Sequence, residues 1–515
     1  MGVANIQIVE IPCGQGGLNY SKSVGDFPVN DLRYCENLTY EDDTWQKEGG
    51  CTKINSTAIT DSPTITGLHD FWTAASTQVK IAATSDGKIV SFTTTGIVNT
   101  LASGLGSDRQ TVFVEALGTS STRKLFAFNG YDSPQVTSDG VTATGIDTPA
   151  ADWTGTSQPP AGIMHNSRLW AWMGHRVYFS TLADHEDFTG TGSGSILVYP
   201  GEGEKIVAGF SFAGRLFLWK YPTGIYWIDD SSTTITNWNA KRLTRAVGMA
   251  GPLGRDQIEN DVLFISSEGF IHSLITTQEL GDVKASALFP EKIGAFIREK
   301  VNIDRISHAV AVYYPTKREW HLGCTGSGYS YNNQRIVVDL HDMTNPRYRY
   351  SPRDVCESMT LIRDSNNISR PCVGDTAGFI RMLDDSTRNK DDSGYLAKFE
   401  TADVELFPKG TRNGNLQFLS IMYRPTGDYD LTLDIYCDGA YTQSVAVNMG
   451  SGTGGQLDSF TLGTDTLGGG NVLNTRRRIV GETRRVKVVG YNSGANENFS
   501  IASLLVGFTP GNDRI

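Results

Sequence analysis

The sequence predicts an all-β protein: a six- or seven-bladed β-propeller with an N-terminal arm and a C-terminal β-sandwich-like platform. Three observations predict it. Hairpin-turn signals recur seven times between residues 65 and 385, roughly 43 to 60 residues apart, the repeat length of four-stranded propeller blades. Short segments around these turns alternate apolar and polar residues, as half-buried strands do. Beyond the last turn the repeat stops, and longer alternating segments follow. The expected divisions are 1–60, 61–395 and 396–515.

Residues 1–60 lack a four-strand pattern. They read as an extended arm through Gly16-Gly17-Leu18-Asn19, Phe27-Pro28-Val29-Asn30-Asp31-Leu32, Cys35-Glu36-Asn37-Leu38 and Lys47-Glu48-Gly49-Gly50-Cys51-Thr52. Leu18, Phe27, Leu32 and Leu38 need burial, so the arm is expected to pack on the platform or on a neighbouring subunit rather than to complete a blade. The propeller turns come next. Ala83-Thr84-Ser85-Asp86-Gly87-Lys88-Ile89-Val90 matches Ile265-Ser266-Ser267-Glu268-Gly269-Phe270-Ile271-His272, and Gly374-Asp375-Thr376-Ala377-Gly378-Phe379-Ile380 repeats the pattern with one insertion. Weaker relatives are Asn129-Gly130, Met173-Gly174, Thr223-Gly224 and Pro315-Thr316. Glycine in these turns supplies the positive φ a tight hairpin requires. Strand candidates include Arg168–Trp172, Arg215–Trp219, Val262–Ile265 and Ala309–Tyr314, and one helix is expected with Pro290 at its start and Ile293, Phe296, Ile297 and Val301 on one face. The charged stretch Asp384–Asp392 reads as a solvated linker. Leu416–Tyr423, Leu431–Cys437, Ser444–Asn448, Arg485–Val489 and Ile501–Phe508 read as sandwich strands, with Gly450–Gly470 a long hairpin loop.

Composition narrows the function classes. A net charge of −11 argues against general nucleic-acid affinity, which rests on neutralising phosphates. Seven scattered cysteines form no two-residue-spaced pair, so zinc and redox motifs lack support and idle thiols are expected. No apolar run approaches a membrane span, the N-terminus lacks a signal-peptide pattern, and Ile6 stands where a myristoylation motif wants Ser or Thr.

Each possible site has an ordinary reading beside it. His165, His175 and His185 lie ten apart, a spacing that does not bring three imidazoles to one metal, so packed or exposed histidines are expected. Asp86-Gly87 and Asp139-Gly140 lack the spacing of sialidase turns, although a glycosidase carboxylate pair stays open among 56 acids. Arg476-Arg477-Arg478 and Arg484-Arg485 form the basic cluster, suited to ion pairs or, in a lumen, to phosphate. Asp384-Asp385 and Asp391-Asp392 lack the ligand order of an EF-hand. Trp170, Trp172, Trp219 and Trp227 are expected to pack between blades rather than to stack on sugars. No cofactor is expected.

Gly16-Gly17-Leu18-Asn19 through Gly49-Gly50-Cys51-Thr52-Lys53, the blade segment His165–Ala171 with Val177-Tyr178-Phe179-Ser180 and Asp184-His185-Glu186-Asp187-Phe188, and the ending Arg484–Val489 with Gly494–Ile501 carry a resemblance along nearly the whole chain. In that order the chain resembles the tail nozzle (tail hub, or stabilisation) proteins of short-tailed bacteriophages. The resemblance implies a structural, non-enzymatic virion protein assembled in the host cytoplasm. It implies a hexameric ring below the adaptor (the head-to-tail connector), a channel for genomic DNA without sequence-specific binding, and support for tail fibres or spikes. The alternative is a carbohydrate-active propeller enzyme acting on bacterial surface glycans. If DNA is threaded, the channel wall should be acidic or neutral, because tight phosphate contacts would stall ejection. Candidate lumen or gate residues are Asp384, Asp385, Asp391, Asp392, Gly454 and Gly455.

Overall fold

The computed structural model describes residues 6–20, 27–118, 122–182, 184–274, 290–450 and 472–511. Short antiparallel sheets follow one another along the chain from residue 65, as the turn repeat predicts. Four-stranded blades occupy 65–102 (blade 1), 112–145 (blade 2), 161–197 (blade 3) and 205–244 (blade 4). A three-stranded sheet at 255–273 (blade 5) precedes residues outside those described. Blade 6 spans 310–351, and blade 7 is built from three strands within 358–385 plus one from the arm. Among the described residues the ring therefore has six four-stranded blades and a three-stranded sheet. The first strand of blade 7, Ser358–Arg363, returns to lie beside Ile65–Trp72 of blade 1 and so closes the circle.

The turns explain the repeat. Gly87 has φ +75°, and a Cβ there would lie 2.0 Å from the Leu105 carbonyl oxygen, so only glycine fits. Gly378 has φ +76° at the equivalent turn of blade 7. The Pro315-Thr316-Lys317 turn forms a 3-10 turn that ends on Arg318 at φ +47°.

Apolar faces of neighbouring blades pack into one another. Trp170 and Trp172 of blade 3 share a cluster with Leu216, Leu218, Tyr226 and Ile228 of blade 4, and Trp219 meets Phe264 of blade 5 with ring centroids 5.4 Å apart. Trp227 is only partly buried, with the Arg215 guanidinium 4.6 Å from its ring centre. The helix Pro290–Lys300 buries Ile293, Phe296 and Ile297 against the central core.

Two sheets form the platform. One is ordered Leu38–Glu41, Thr44–Lys47, Ser500–Pro510, Gly414–Tyr423, Leu473–Arg478, with the arm strand Gln7–Pro12 also pairing Ser500–Pro510. The other contains Ala397–Glu400, Arg485–Asn492, Asp430–Cys437 and Ala440–Asn448. Leu419, Leu504 and Val506 from the first share a core with Leu433, Ile435 and Val488 from the second. The second sheet does not stop at the platform. Tyr34–Glu36 of the arm pairs antiparallel with Ala397–Glu400 and parallel with the outer strand of blade 6 through Glu36 and Tyr350, making one ten-stranded sheet.

The arm buries Leu18, Leu32 and Leu38 in that shared core, and Phe27 lies under Arg33. One expectation is corrected. Gly50–Lys53 pairs antiparallel with Ile380–Asp385 and is the fourth strand of blade 7, so part of the arm does complete a blade. A four-residue strand whose one buried apolar side chain is Cys51, packed with Val373, Leu383 and Cys356, leaves no periodic signal; backbone bonds and neighbouring charges hold the rest.

Candidate functional site

Arm, blade 6, blade 7 and platform meet around a buried ionic network. Glu319 and His321, Arg335, and Arg349 and Ser351 stand on three adjacent strands of blade 6, with Glu48, Arg353 and Asp354 on the segments beside them, which is why polar side chains can reach one another inside the sheet stack. Arg335 of strand Gln334–Asp339 is fully buried. It donates to Glu48 of the arm (3.0 Å), Asp354 (3.1 Å) and His321 Nδ1 (2.7 Å). His321 Nε2 contacts Glu319 (3.1 Å), whose other oxygen forms an ion pair with Arg349 at 2.6 Å. Arg349 also donates to the Leu38 carbonyl (2.8 Å), and Arg353 grips Asp354 while donating to the Gly49 carbonyl (2.6 Å). Ser351 and Tyr395 hydrogen-bond Glu48 through its side chain and its carbonyl respectively.

Burial would push these carboxyls up, and the guanidinia more than reverse it. Glu319 is drawn down to about 2 by Arg349 and His321. Asp354 is held well below the usual range by Arg353 and Arg335, and Glu48 is lowered chiefly by Arg335. Such a set is stable while complete and costly when one partner is missing.

The candidate acidic residues lie at the edge of this junction, and the solvated-linker expectation fails for the ion-paired ones. Asp384 sits at a bulge in the blade 7 edge and accepts from Lys317 (2.6 Å) and Tyr314 (3.1 Å). Asp391 pairs with Arg381 at 3.0 Å and lies 3.7 Å from Lys53. Asp385 is aligned with Gly50, and Asp392 is exposed at φ +67°. The stretch wraps the closing strand instead of spanning open solvent: Gly50 and Cys51 donate to the Thr387 and Asn389 carbonyls at 2.7 and 2.8 Å. Asp384 and Asp391 find cations within reach, so their charge is spent internally. Gly454, Gly455 and most of the Gly450–Gly470 loop lie outside the described residues.

The three histidines have separate partners. His165 meets Ser211 and Asp230, His175 meets Lys220, and His185 accepts from the Leu117 amide. Among the described residues, no three His, Cys, Asp or Glu side chains gather as a metal site. Arg484 and Arg485 line a cleft of about 830 Å3 with Arg33 and Lys487. Acids of the same chain serve these cations: Arg33 lies 3.0 Å from Asp403, Arg485 2.7 Å from Glu405, and Lys487 3.4 Å from Glu400. Arg476 lies over the Phe418 ring.

A second cavity, about 360 Å3, opens on one face of the propeller and was not apparent from the sequence. In an antiparallel blade the start of the first strand and the turn between the second and third strands share a face. Thr64 and Thr66 enter blade 1, Asp108 and Gln110 precede blade 2, Arg305 and His308 precede blade 6, and Glu357 precedes blade 7. Ser85, Tyr331 and Thr376 stand on the corresponding inner turns of blades 1, 6 and 7. Asn332 braces the wall, accepting from Thr325, donating through its side chain to the His308 carbonyl (2.8 Å) and through its amide to Glu357 Oε1 (2.8 Å). Burial raises the Glu357 carboxyl above its usual range, and burial, with Arg305 nearby, lowers His308.

The strand order defines a β-propeller joined to a β-sandwich platform. No protein-family model matches the chain, and no curated protein matches it in sequence. Among solved structures it is similar to the computationally designed protein Ika8 (10% identity, 64% of this chain and 99% of that one, TM-score 0.38). It is also similar to the WD40 β-propeller domain of Doa1 (9%, 65% and 97%, TM-score 0.38). A third likeness is to the extracellular domain of the hybrid two-component system BT3049 from B. thetaiotaomicron (10%, 77% and 49%, TM-score 0.42). Likenesses this distant concern the fold alone.

Proposed function

We propose that the protein is a structural component of a bacteriophage short tail. It forms a nozzle ring, hexameric by the resemblance, below the adaptor, continues the DNA channel and carries fibres or spikes on its outer surface. The observation that carries the reading is the arm, threaded through platform and propeller in turn. It pairs with Ser500–Pro510, bridges blade 6 to the platform and closes blade 7. This supports a load-bearing role, because the two units share one sheet and one buried charge network rather than a loose linker.

Mass measurement of the purified chain, alone and mixed with the adaptor, tests the proposal. A ring of defined stoichiometry, with adaptor present if the free chain is monomeric, is expected. A chain that stays monomeric with adaptor and is missing from virions overturns it. Release of reducing ends from capsule or lipopolysaccharide, abolished by a single carboxylate substitution, would favour the glycan-acting alternative. For the channel wall, Asp392 is the aspartate to substitute. It is exposed, and asparagine tolerates the same backbone. Faster or slower DNA release by Asp392→Asn particles of normal assembly would place it on the DNA path, and unchanged release removes it.

A further inference from the structure

The geometry points to a binding site for a neutral saccharide in the cavity on the propeller face, lined by Asp108, Gln110, Arg305, Glu357 and Tyr331 with the hydroxyl of Thr66. This goes beyond the nozzle reading and does not depend on it.

The chemistry of the lining selects the ligand class. A sugar presents hydroxyls that donate and accept, so its site needs both kinds of group close together. Asp108, exposed to the cavity, and the second oxygen of Glu357 accept. Arg305 and Gln110 donate, and the threonine and serine hydroxyls do either. Two of these groups carry an atom with no hydrogen bond. Thr66 Oγ1 and Arg305 Nε are both shielded from solvent without a hydrogen bond. Buried polar atoms left so cost about as much as a lost hydrogen bond, and a rotation of either side chain into the cavity would let a hydroxylated ligand satisfy it.

The lining mixes both signs of charge, with Arg305 beside Asp108 and Glu357, so it selects neither a free anion nor a free cation; burial raises the Glu357 carboxyl and lowers His308. The rim supplies an aromatic surface. Tyr329, half exposed, packs edge-on against Tyr331 with ring centroids 5.7 Å apart, leaving tyrosine faces for the C–H side of a pyranose. At about 360 Å3 the cavity lies at the lower end of the roughly 300–1,000 Å3 of small-molecule sites. That suits one or two sugar rings.

Saturation-transfer NMR on the full chain tests this with galactose, N-acetylglucosamine and a neutral O-chain oligosaccharide as probes. N-acetylneuraminic acid and choline are the charged controls. Transfer to at least one neutral probe and to neither control is expected. Asp108→Asn, which keeps shape and suits the φ of +54°, should weaken binding about tenfold, as loss of a hydrogen bond to a charged group does. Thr66→Val should weaken it less. Circular dichroism verifies that both variants are folded, and Thr376→Ala stands in for either that is not. No transfer to any neutral probe, preference for a charged control, or affinity unchanged in the folded variants overturns the assignment. Ring formation by Asp108→Asn with the adaptor is read separately, so failure of the nozzle proposal and failure of the saccharide site give different results.

Discussion

Blades 3 and 4 and the junction of the arm with blades 6 and 7 solve the same packing problem with opposite chemistry. Between blades 3 and 4 the contact is apolar, with Trp170, Trp172, Leu216, Leu218 and Ile228 buried together. At the junction the buried side chains are Arg335, Arg349, Arg353, Asp354, Glu48 and Glu319. Blades 3 and 4 are tethered by the short connection 198–204, so apolar fit is enough to hold them. The closing strand Gly50–Lys53 must find an edge more than 300 residues away with Cys51 as its one buried apolar side chain. Complementary charges distinguish one edge from the others in a way that oily surface does not.

The comparison can be broken most sharply by removing residues 1–53. That deletes the fourth strand of blade 7 and leaves Arg335 and Arg353 without Glu48 and the Gly49 carbonyl. Loss of the single cooperative melt by circular dichroism is expected, whereas deletion of residues 1–6 should leave the melt intact. The next largest effect is Arg335→Met, expected to cost about 3–5 kcal/mol in urea unfolding at pH 7, because two buried carboxylates lose their partner. Leu218→Ala between blades 3 and 4 should cost about 2–5 kcal/mol. The distinction lies in pH: the Leu218→Ala penalty should be constant, and the Arg335→Met penalty should shrink in acid as Glu48 and Asp354 protonate.

Acid should therefore weaken the junction before the aromatic blades. Glu319 is held at about 2 against an ordinary 4.5. Its stabilisation is complete above 4.5 and is lost as pH falls through the folded value near 2. Asp256, between blades 5 and 6, has the opposite sign. Burial raises it from 3.8 to about 6 although it accepts from the Tyr313 amide at 2.6 Å. The burial of its neutral form favours folding below 3.8, and that advantage disappears as pH rises through 6. Asp256→Asn should flatten the stability profile between pH 4 and 6, as measured by urea midpoints. Arg123→Ala, which breaks an exposed pair with Glu115, should change stability by less than about 1 kcal/mol, the control for charge without burial.

Much of the propeller could be read from local chemistry. Asp86-Gly87 and Glu268-Gly269 mark turns because only certain residues adopt that backbone, and Ile293, Phe296 and Ile297 mark a helix face by spacing alone. Leu431–Cys437 and Ile501–Phe508 alternate because each sheet has one buried side. Gly50–Lys53 carried no such mark, since its partner strand ends at Asp385. Asp384 and Asp391 resembled linker residues because acidic runs usually face solvent, and nothing nearby in sequence disclosed Lys317 or Lys53. The propeller-face cavity was equally hidden: Thr66, Asp108, Arg305 and Glu357 come from separate blades and meet only once the ring is closed.

The position of Gly50–Lys53 in blade 7 also sets an order of events during synthesis. This strand leaves the ribosome well before the edge it joins, which emerges more than 300 residues later. At ~5–20 residues per second the wait is roughly tens of seconds. Throughout that interval the nascent chain carries an unclaimed strand and, later along the chain, an unfinished sheet. The final blade thus acts as a completion check, because the ring locks only on chains translated past residue 385.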